Sequence, residues 1–215
     1  MRPELLTPAE AAVIASVTVR DINRVIDEEI LPAQFYSLED GRRIRLAACP
    51  LVGFYFHAAK ALTAEERLRL IGLFSERMST KMEEQSLVSW RKTDWTIREC
   101  FLTVNLDEFV EKALDRSAKL ETAEEMVVED PAILSGTPVI RGTRIPVYDL
   151  VASVAAGVPR ERILAAYPGL DETTLDLAVL YAEANPVRGR PRRFVALPTN
   201  AVAVAERRVP RRRQT

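Results

Sequence analysis

Residues 7–46 read TPAEAAVIASVTVRDINRVIDEEILPAQFYSLEDGRRIRL, and this stretch decides the fold of the N-terminal part of the chain. Thr7 and Glu10 form a capping-box pattern that predicts a helix over about Pro8–Ala15. Thr18 and Asp21 repeat the pattern and predict a second helix that ends near Glu29. Two short helices joined by a tight turn are typical of a helix-turn-helix unit. The apolar stripe predicted to bury the second helix consists of Val19, Ile22, Ile26 and Ile30.

A two-stranded ribbon is predicted directly after the second helix. Gln34–Leu38 reads as a strand, Asp40-Gly41 as a hairpin turn and Arg42–Leu46 as the return strand. A ribbon in this place is a wing. Residues 6–60 therefore resemble the MerR and excisionase type of winged helix-turn-helix, and we predict such a domain over 1–62.

This resemblance implies DNA binding, and basic residues cluster on the two elements that would face the DNA. A cationic helix and wing can meet phosphates and a major groove. The predicted DNA-binding residues are Thr18, Arg20, Asn23, Arg24, Arg42, Arg43 and Arg45. A solvated face is the alternative, because residues 1–62 hold seven basic and eight acidic side chains.

The middle of the chain predicts a helical segment followed by a connector. A helix is expected over about Pro50–Ala61. A segment of helix and linker is predicted over 63–94, with the helix running from Thr63 to about Lys81 and a polar linker over Lys81–Asp94. A strand-helix-strand connector is predicted over 95–130, with strands at Thr96–Val104 and Glu125–Glu129 and a helix from Asn105 to about Leu120. Strands of this length need partners, which favours a homodimer formed through this region.

Residues 131–185 predict a small hairpin and three short helices. The hairpin pairs Val139-Ile140 with Arg144-Ile145, and the helices are expected over Pro146–Ala156, from Pro159 to near Tyr167, and over Glu172–Ala184. This pattern indicates a trihelical, homeodomain-like unit. Its third helix contains acids and no Lys or Arg, so it would repel phosphate, and packing or dimerisation is the predicted use.

The same region closely resembles the bacterial domain of unknown function 433. The resemblance covers residues 126–184 and lies in Asp130-Pro131, Gly136–Val147, Gly157, Ile163-Leu164, Tyr167-Pro168 and Tyr181-Ala182. Proteins of that family are typically antitoxins encoded beside PIN-like ribonucleases. Together with the winged helix-turn-helix, the layout resembles VapB-type antitoxins. The resemblance implies two partners, a PIN-like ribonuclease toxin and operator DNA.

The last thirty residues, 186–215, hold nine arginines, no lysine and one acid, Glu206, which is a net charge of +8. The whole chain has a net charge of −1, so residues 1–185 carry −9. Arginine grips carboxylates through paired hydrogen bonds, so the tail can enter the acidic site of such a nuclease. The predicted toxin-binding residues are Arg190, Arg192, Arg193 and Phe194. Arg211–Arg213 compete for this role, and a disordered basic end is the alternative.

The remaining composition excludes several classes of function. We find no apolar run long enough for a membrane helix and no signal peptide, which predicts a cytoplasmic protein without membrane contact. Cys49, Cys100 and the single His57 form no metal-ligand or triad spacing, so we predict no metal, no cofactor and no enzymatic activity. A MerR-like regulator that responds to a small molecule, without a toxin, is the second hypothesis. The expected fold class is mainly α with short β hairpins (α+β).

Overall fold

A computed structural model describes residues 5–83, 87–99 and 102–187 of the protein. The described chain is mainly helical, with short antiparallel strand pairs, as the sequence predicts. The four residues predicted to bind a toxin, Arg190, Arg192, Arg193 and Phe194, lie outside the described residues, as does Cys100.

The first two helices begin and end close to their predicted positions. Helix α1 spans Pro8–Ala15 and α2 spans Val19–Asp27. Reciprocal hydrogen bonds cap both, between Thr7 and Glu10 and between Thr18 and Asp21. Ser16 ends α1 in a left-handed conformation at φ 57°, which turns the chain sharply into α2.

A three-stranded antiparallel sheet follows, in the order β1-β3-β2. Strand β1 is Leu5–Leu6, β2 is Tyr36–Ser37 and β3 is Arg43–Arg45. Strand β1 was not predicted, since two leucines before a helix carry no strand signal of their own. The predicted strand over Gln34–Leu38 was too long, because residues 33–35 form a 3-10 turn in which the Phe35 amide donates to the Pro32 carbonyl.

Among the described residues, three α-helices lie between this sheet and the next strands. Helix α3 spans Ala48–His57, α4 spans Ala64–Glu83 and α5 spans Leu87–Arg91. The prediction of a broken linker over Lys81–Asp94 was wrong for α5. Trp90 is only 5% exposed and stacks edge-on against Trp95 at 6.1 Å, so this polar stretch is held by two aromatic side chains.

The predicted single strand over Thr96–Val104 is a hairpin of β4, Thr96–Glu99, and β5, Leu102–Asn105. Helix α6 spans Asp107–Met126 and leads into β6, Val127–Val128, which pairs with β7, Val139–Ile140. The strands expected to need a second subunit therefore find their partners within the chain. A second subunit is therefore not needed to pair these strands, and this reason for predicting a dimer is removed.

The chain continues through α7, Val147–Ala155, α8, Arg160–Ala166, and α9, Glu172–Ala184. Helix α9 packs against α7, α6 and also α1. One apolar cluster consequently runs from Leu6 to Ala184, and it joins the segments that the sequence delimits at 62, 94 and 130.

Candidate nucleic-acid interface

Helix α2 and the β2–β3 hairpin carry all seven predicted DNA-binding residues. Ile22, Val25 and Ile26 bury one side of α2 in the core, which leaves Arg20 and Arg24 exposed on the other side. Val19 was predicted as a core residue but is 43% exposed. It is the first residue of α2, before the turn that packs, and Val25 lies in the core instead.

Thr18 is occupied in capping α2. Its hydroxyl donates to the Asp21 carboxylate at 2.7 Å and accepts the Asp21 amide at 3.1 Å. The carboxylate in return accepts the Thr18 amide at 3.0 Å. Thr18 therefore positions the start of the helix through bonds that leave its hydroxyl little capacity for another partner.

Three more of the predicted residues have partners within the chain. Arg24 bonds Glu28 at 2.9 Å on the same helix, and this carboxylate raises the pKa of the guanidinium. Arg42, directly before β3, donates to both carboxylate oxygens of Asp27, at 2.6 and 3.0 Å, and to the Asn23 side-chain oxygen at 3.0 Å. We refer to Arg42, Asp27 and Asn23 as the clamp.

Arg45 connects the hairpin to a different helix, α4. Its Nε donates to the Gln34 carbonyl at 2.8 Å, and the Gln34 amide donates to the Ser79 hydroxyl on α4 at 2.7 Å. Arg45 thus contributes to a link between β3 and α4. Sequence spacing alone could not show this link, because 45 residues separate Gln34 from Ser79.

Arg20 and Arg43 differ from the other predicted cations. The guanidinium of neither residue makes a hydrogen bond or ion pair within 5–83, 87–99 and 102–187. Arg20 is exposed on α2, and Arg43 is partly exposed on the side of β3 opposite the buried Ile44. These two guanidiniums keep their donors available for an anionic partner.

The residues of the C-terminal motif hold turns together. Arg141 donates from Nε to the Glu125 carbonyl at 2.8 Å and from its backbone to the Met126 carbonyl at 2.8 Å, which caps the end of α6. Arg144 is exposed and has no such bond in the described chain. Leu134 and Ser135 both have positive φ, at 47° and 58°, in the turn that precedes β7.

The acidic third helix of this region also forms internal contacts. Asp176 of α9 pairs with Arg160 of α8 at 2.6 Å. The Tyr181 hydroxyl donates to Glu129 at 3.3 Å, and burial raises the pKa of both Tyr181 and its neighbour Tyr148. These residues contribute to packing between α7, α8 and α9.

Comparison with known proteins identifies the family. The chain is 49% identical over 215 residues to the uncharacterized protein y4eO of Sinorhizobium fredii (strain NBRC 101917 / NGR234), covering 99% of this chain and 96% of that protein. The chain belongs to the same family as y4eO. Residues 127–182 also match the model of the family described as Protein of unknown function (DUF433). No solved structure matches the chain.

In this member of the y4eO family, the matched domain begins at β6 and ends within α9. It therefore includes the β6–β7 pair, the left-handed turn at Leu134 and the Arg141 cap. The predicted limits of 126–184 agree with the match to within two residues at either end.

Two further properties of the described residues bear on function. None of the helices there is both long and apolar enough to cross a membrane. Within the same ranges, no group of three His, Cys, Asp or Glu side chains is placed to hold a metal ion. Cys49 is buried in α3, whereas His57 is exposed at the end of α3 and donates from Nδ1 to the Gly53 carbonyl at 2.8 Å.

Proposed function

We propose that the protein is a DNA-binding antitoxin that acts in the cytoplasm as a homodimer. In this proposal, α1, α2 and the β2–β3 hairpin form a winged helix-turn-helix that represses the protein's own operon. The observation that carries the DNA-binding half is the pair of unpartnered arginines, Arg20 on α2 and Arg43 on β3. They lie on the two elements that a winged helix-turn-helix presents to DNA.

The packing of α2 supports this assignment. A recognition helix must expose one face to the groove while its other face is buried firmly in the protein. Ile22 and Val25 are fully buried, whereas Val19, Arg20 and Arg24 are exposed. At the end of α2, Asp27 pairs with Arg42 and Glu28 pairs with Arg24, and this pairing reduces the repulsion between these acids and phosphate.

DNA binding can be tested with the full chain and a duplex from upstream of its own coding sequence. We expect tighter binding to this duplex than to a scrambled one, and R20A should weaken it by about 1–3 kcal/mol if Arg20 reads a base. R43A should weaken binding to both duplexes, and it should reduce the slope of log affinity against log salt concentration by about 1, as expected for a phosphate contact. K112A, on the remote helix α6, is the matched loss of a cation. Equal effects of K112A and R20A would contradict the proposal.

The toxin-binding half rests on the resemblance to VapB-type antitoxins and on charge. The tail 186–215 has a net charge of +8, with arginine as its sole basic residue, while residues 1–185 carry −9. A partner lined with carboxylates would attract the tail and not the body. We propose that Arg190, Arg192, Arg193 and Phe194 contact such a nuclease and that its carboxylates pair with the guanidiniums.

The test uses a PIN-like nuclease encoded beside the gene. We expect the full chain to inhibit RNA cleavage, and a chain ending at Val187 to leave the nuclease active. R192A and R193A should each cost about 2–5 kcal/mol of affinity, the range for removing one partner of a buried charge pair. R211A is the matched control, because it removes an arginine from the terminal group. Equal inhibition by the full and shortened chains would show that the body, not the tail, blocks the nuclease.

A small-molecule regulator remains the second candidate, and one cleft favours it. The cleft lies between α4 and β4, has a volume of about 510 Å³ and is lined by Leu73, Glu76, Arg77, Ile97, Arg98 and Glu99. This volume falls in the usual range for ligand sites, but the cleft is open to solvent rather than enclosed. Arg77, however, donates to the Asp94 and Thr96 carbonyls, both at 2.9 Å, so it is already occupied in the fold. A metabolite that releases the DNA from the wild type and not from L73W would favour this function.

A further inference from the structure

Arg42 is the predicted DNA-binding residue that connects the hairpin to side chains of α2. Its guanidinium uses two nitrogens to hold both oxygens of Asp27, and a third bond reaches Asn23. Asp27 is the last residue of α2, and Arg42 directly precedes β3. The clamp therefore joins the end of the proposed recognition helix to the base of the proposed wing.

The charge at the end of α2 explains why Arg42 turns inward. Asp27, Glu28 and Glu29 follow one another at the negative end of the helix dipole, where acids are unfavourable. Arg24 compensates Glu28 from within the helix, and Arg42 compensates Asp27 from the hairpin. A bidentate guanidinium fixes both distance and orientation, which a single charge contact does not.

The hairpin needs this support because its own strands are short. Strand β2 has two residues and β3 has three, and they pair only through Tyr36 with Ile44 and Ser37 with Arg43. Short two-stranded ladders are marginal by themselves. Strand β1 and the Arg45 link to Gln34 hold the opposite side of the sheet. The clamp is the contact that ties the sheet to α2 through side-chain hydrogen bonds.

We propose that Arg42 is a positioning residue that sets the wing against α2 rather than a DNA contact, an inference that rests on the proposed DNA binding. The clamp holds Arg43 and Arg20 at a constant separation, so that both reach one stretch of duplex together. Operator affinity then depends on the Asp27 carboxylate, even though a carboxylate on a DNA-facing surface would otherwise weaken binding.

Two variants separate positioning from direct contact in the full chain. D27N removes an acid and R42K keeps the positive charge, so a phosphate contact by residue 42 predicts equal or tighter DNA binding for both. Positioning predicts the opposite: each variant lowers affinity for the upstream duplex roughly 2- to 10-fold, as for residues in one salt-bridge network. The double variant D27N/R42K should bind no more weakly than either single variant, and D27N should not weaken binding to the scrambled duplex.

The matched control is R43Q, which removes the neighbouring cation whose side chain has no partner in the described chain. It should weaken binding to both duplexes and reduce the salt slope by about 1. Amide exchange at Ser37 and Arg43 without DNA gives a second readout, and it should be faster in D27N and R42K. Unchanged affinity and unchanged exchange in both variants would overturn the positioning role alone. If the wild type binds the upstream and scrambled duplexes alike, the proposed DNA recognition fails, and this inference fails with it.

Discussion

At the scale of single residues, Gly53 lies in close contact with α1 and α6. A Cβ at this position would lie 3.1 Å from the Ala15 carbonyl oxygen and 3.3 Å from the Phe109 ring. Gly53 thus lies where α1, α3 and α6 meet, and α1 and α3 both contact α2. Its φ is not positive, and the requirement for glycine is one of space alone.

We expect G53A to destabilise the protein by about 1–3 kcal/mol, the usual cost of overpacking. Urea unfolding of the full chain followed by circular dichroism measures this loss. Gly72 provides the matched control, because it lies in α4 and a Cβ there meets nothing within 4 Å. G72A should stabilise the protein by roughly 0.5–1 kcal/mol through helix propensity. Equal effects of the two changes would show that the close contact carries no energy.

Val19 is a second residue whose surroundings set its use. Val19 is 43% exposed at the start of the proposed recognition helix, where an apolar side chain can contact the methyl group of thymine. Replacing thymine by deoxyuridine at the contacted position of the upstream duplex should weaken binding of the wild type roughly 2- to 10-fold, the order expected for losing burial of one methyl group. V19A should bind both duplexes equally. A wild type insensitive to every such replacement would exclude this contact.

At the scale of elements, α5 and β4 depend on the chain's two tryptophans. Trp95 is 1% exposed, and its indole donates to the Trp90 carbonyl at 2.9 Å. We expect W95A to cost about 3–5 kcal/mol, as for other buried tryptophans, and W95F to cost less because it keeps part of the apolar contact. Circular dichroism during urea unfolding tests both. A W95A loss below that of W95F would contradict the packing role.

Helix α9 begins with an acid-sensitive cap. Hydrogen bonds from Thr174 hold the pKa of Asp171 below its ordinary value. Because the folded pKa is the lower one, this carboxylate stabilises the protein above the unfolded pKa, and the stabilisation is lost as pH falls through the folded pKa. The loss therefore falls below about pH 4. D171N keeps an oxygen acceptor without titrating, so its melting temperature should fall less between pH 5 and pH 3 than that of the wild type.

At the scale of the whole molecule, α9 closes the core against α1, α6 and α7. Leu175 and Ala178 are fully buried there, and the Tyr148 hydroxyl donates to the Asn185 carbonyl at 2.7 Å. The C-terminal helix is consequently part of the support for the N-terminal α1–α2 unit. Tests of DNA binding and of dimerisation therefore require the full chain.

We expect a chain ending at Leu170 to lose cooperative unfolding, including the N-terminal part, because it removes α9 from the shared core. A chain ending at Val187 keeps every described contact and should unfold like the full chain. Thermal unfolding by circular dichroism compares the two. Sedimentation of the full chain at micromolar concentration tests the proposed dimer. A folded N-terminal part in the shorter chain would show that the shared core is dispensable.

Local chemistry made several elements predictable. The capping residues of α1, α2 and α9 are adjacent in sequence to the helices they start, so their bounds follow from the pattern itself. The C-terminal motif of Gly, Thr, Arg and Pro marks its turns in the same way, and the family match falls on it. Strand β1 and the hairpin β4–β5 escaped prediction, because pairing across a sheet is set by distant partners.

The sequence by itself determined the starts of α1, α2 and α9, the limits of the matched domain and the separation of charge between body and tail, since each depends on neighbours along the chain. Only the tertiary structure decided which cations are available. Arg42 and Arg20 are both predicted to bind DNA, yet the Arg42 side chain meets Asp27 across 15 residues and the Arg20 side chain meets no partner within the described chain. A guanidinium is available only when the fold brings no carboxylate to it, and that distance is a property of packing.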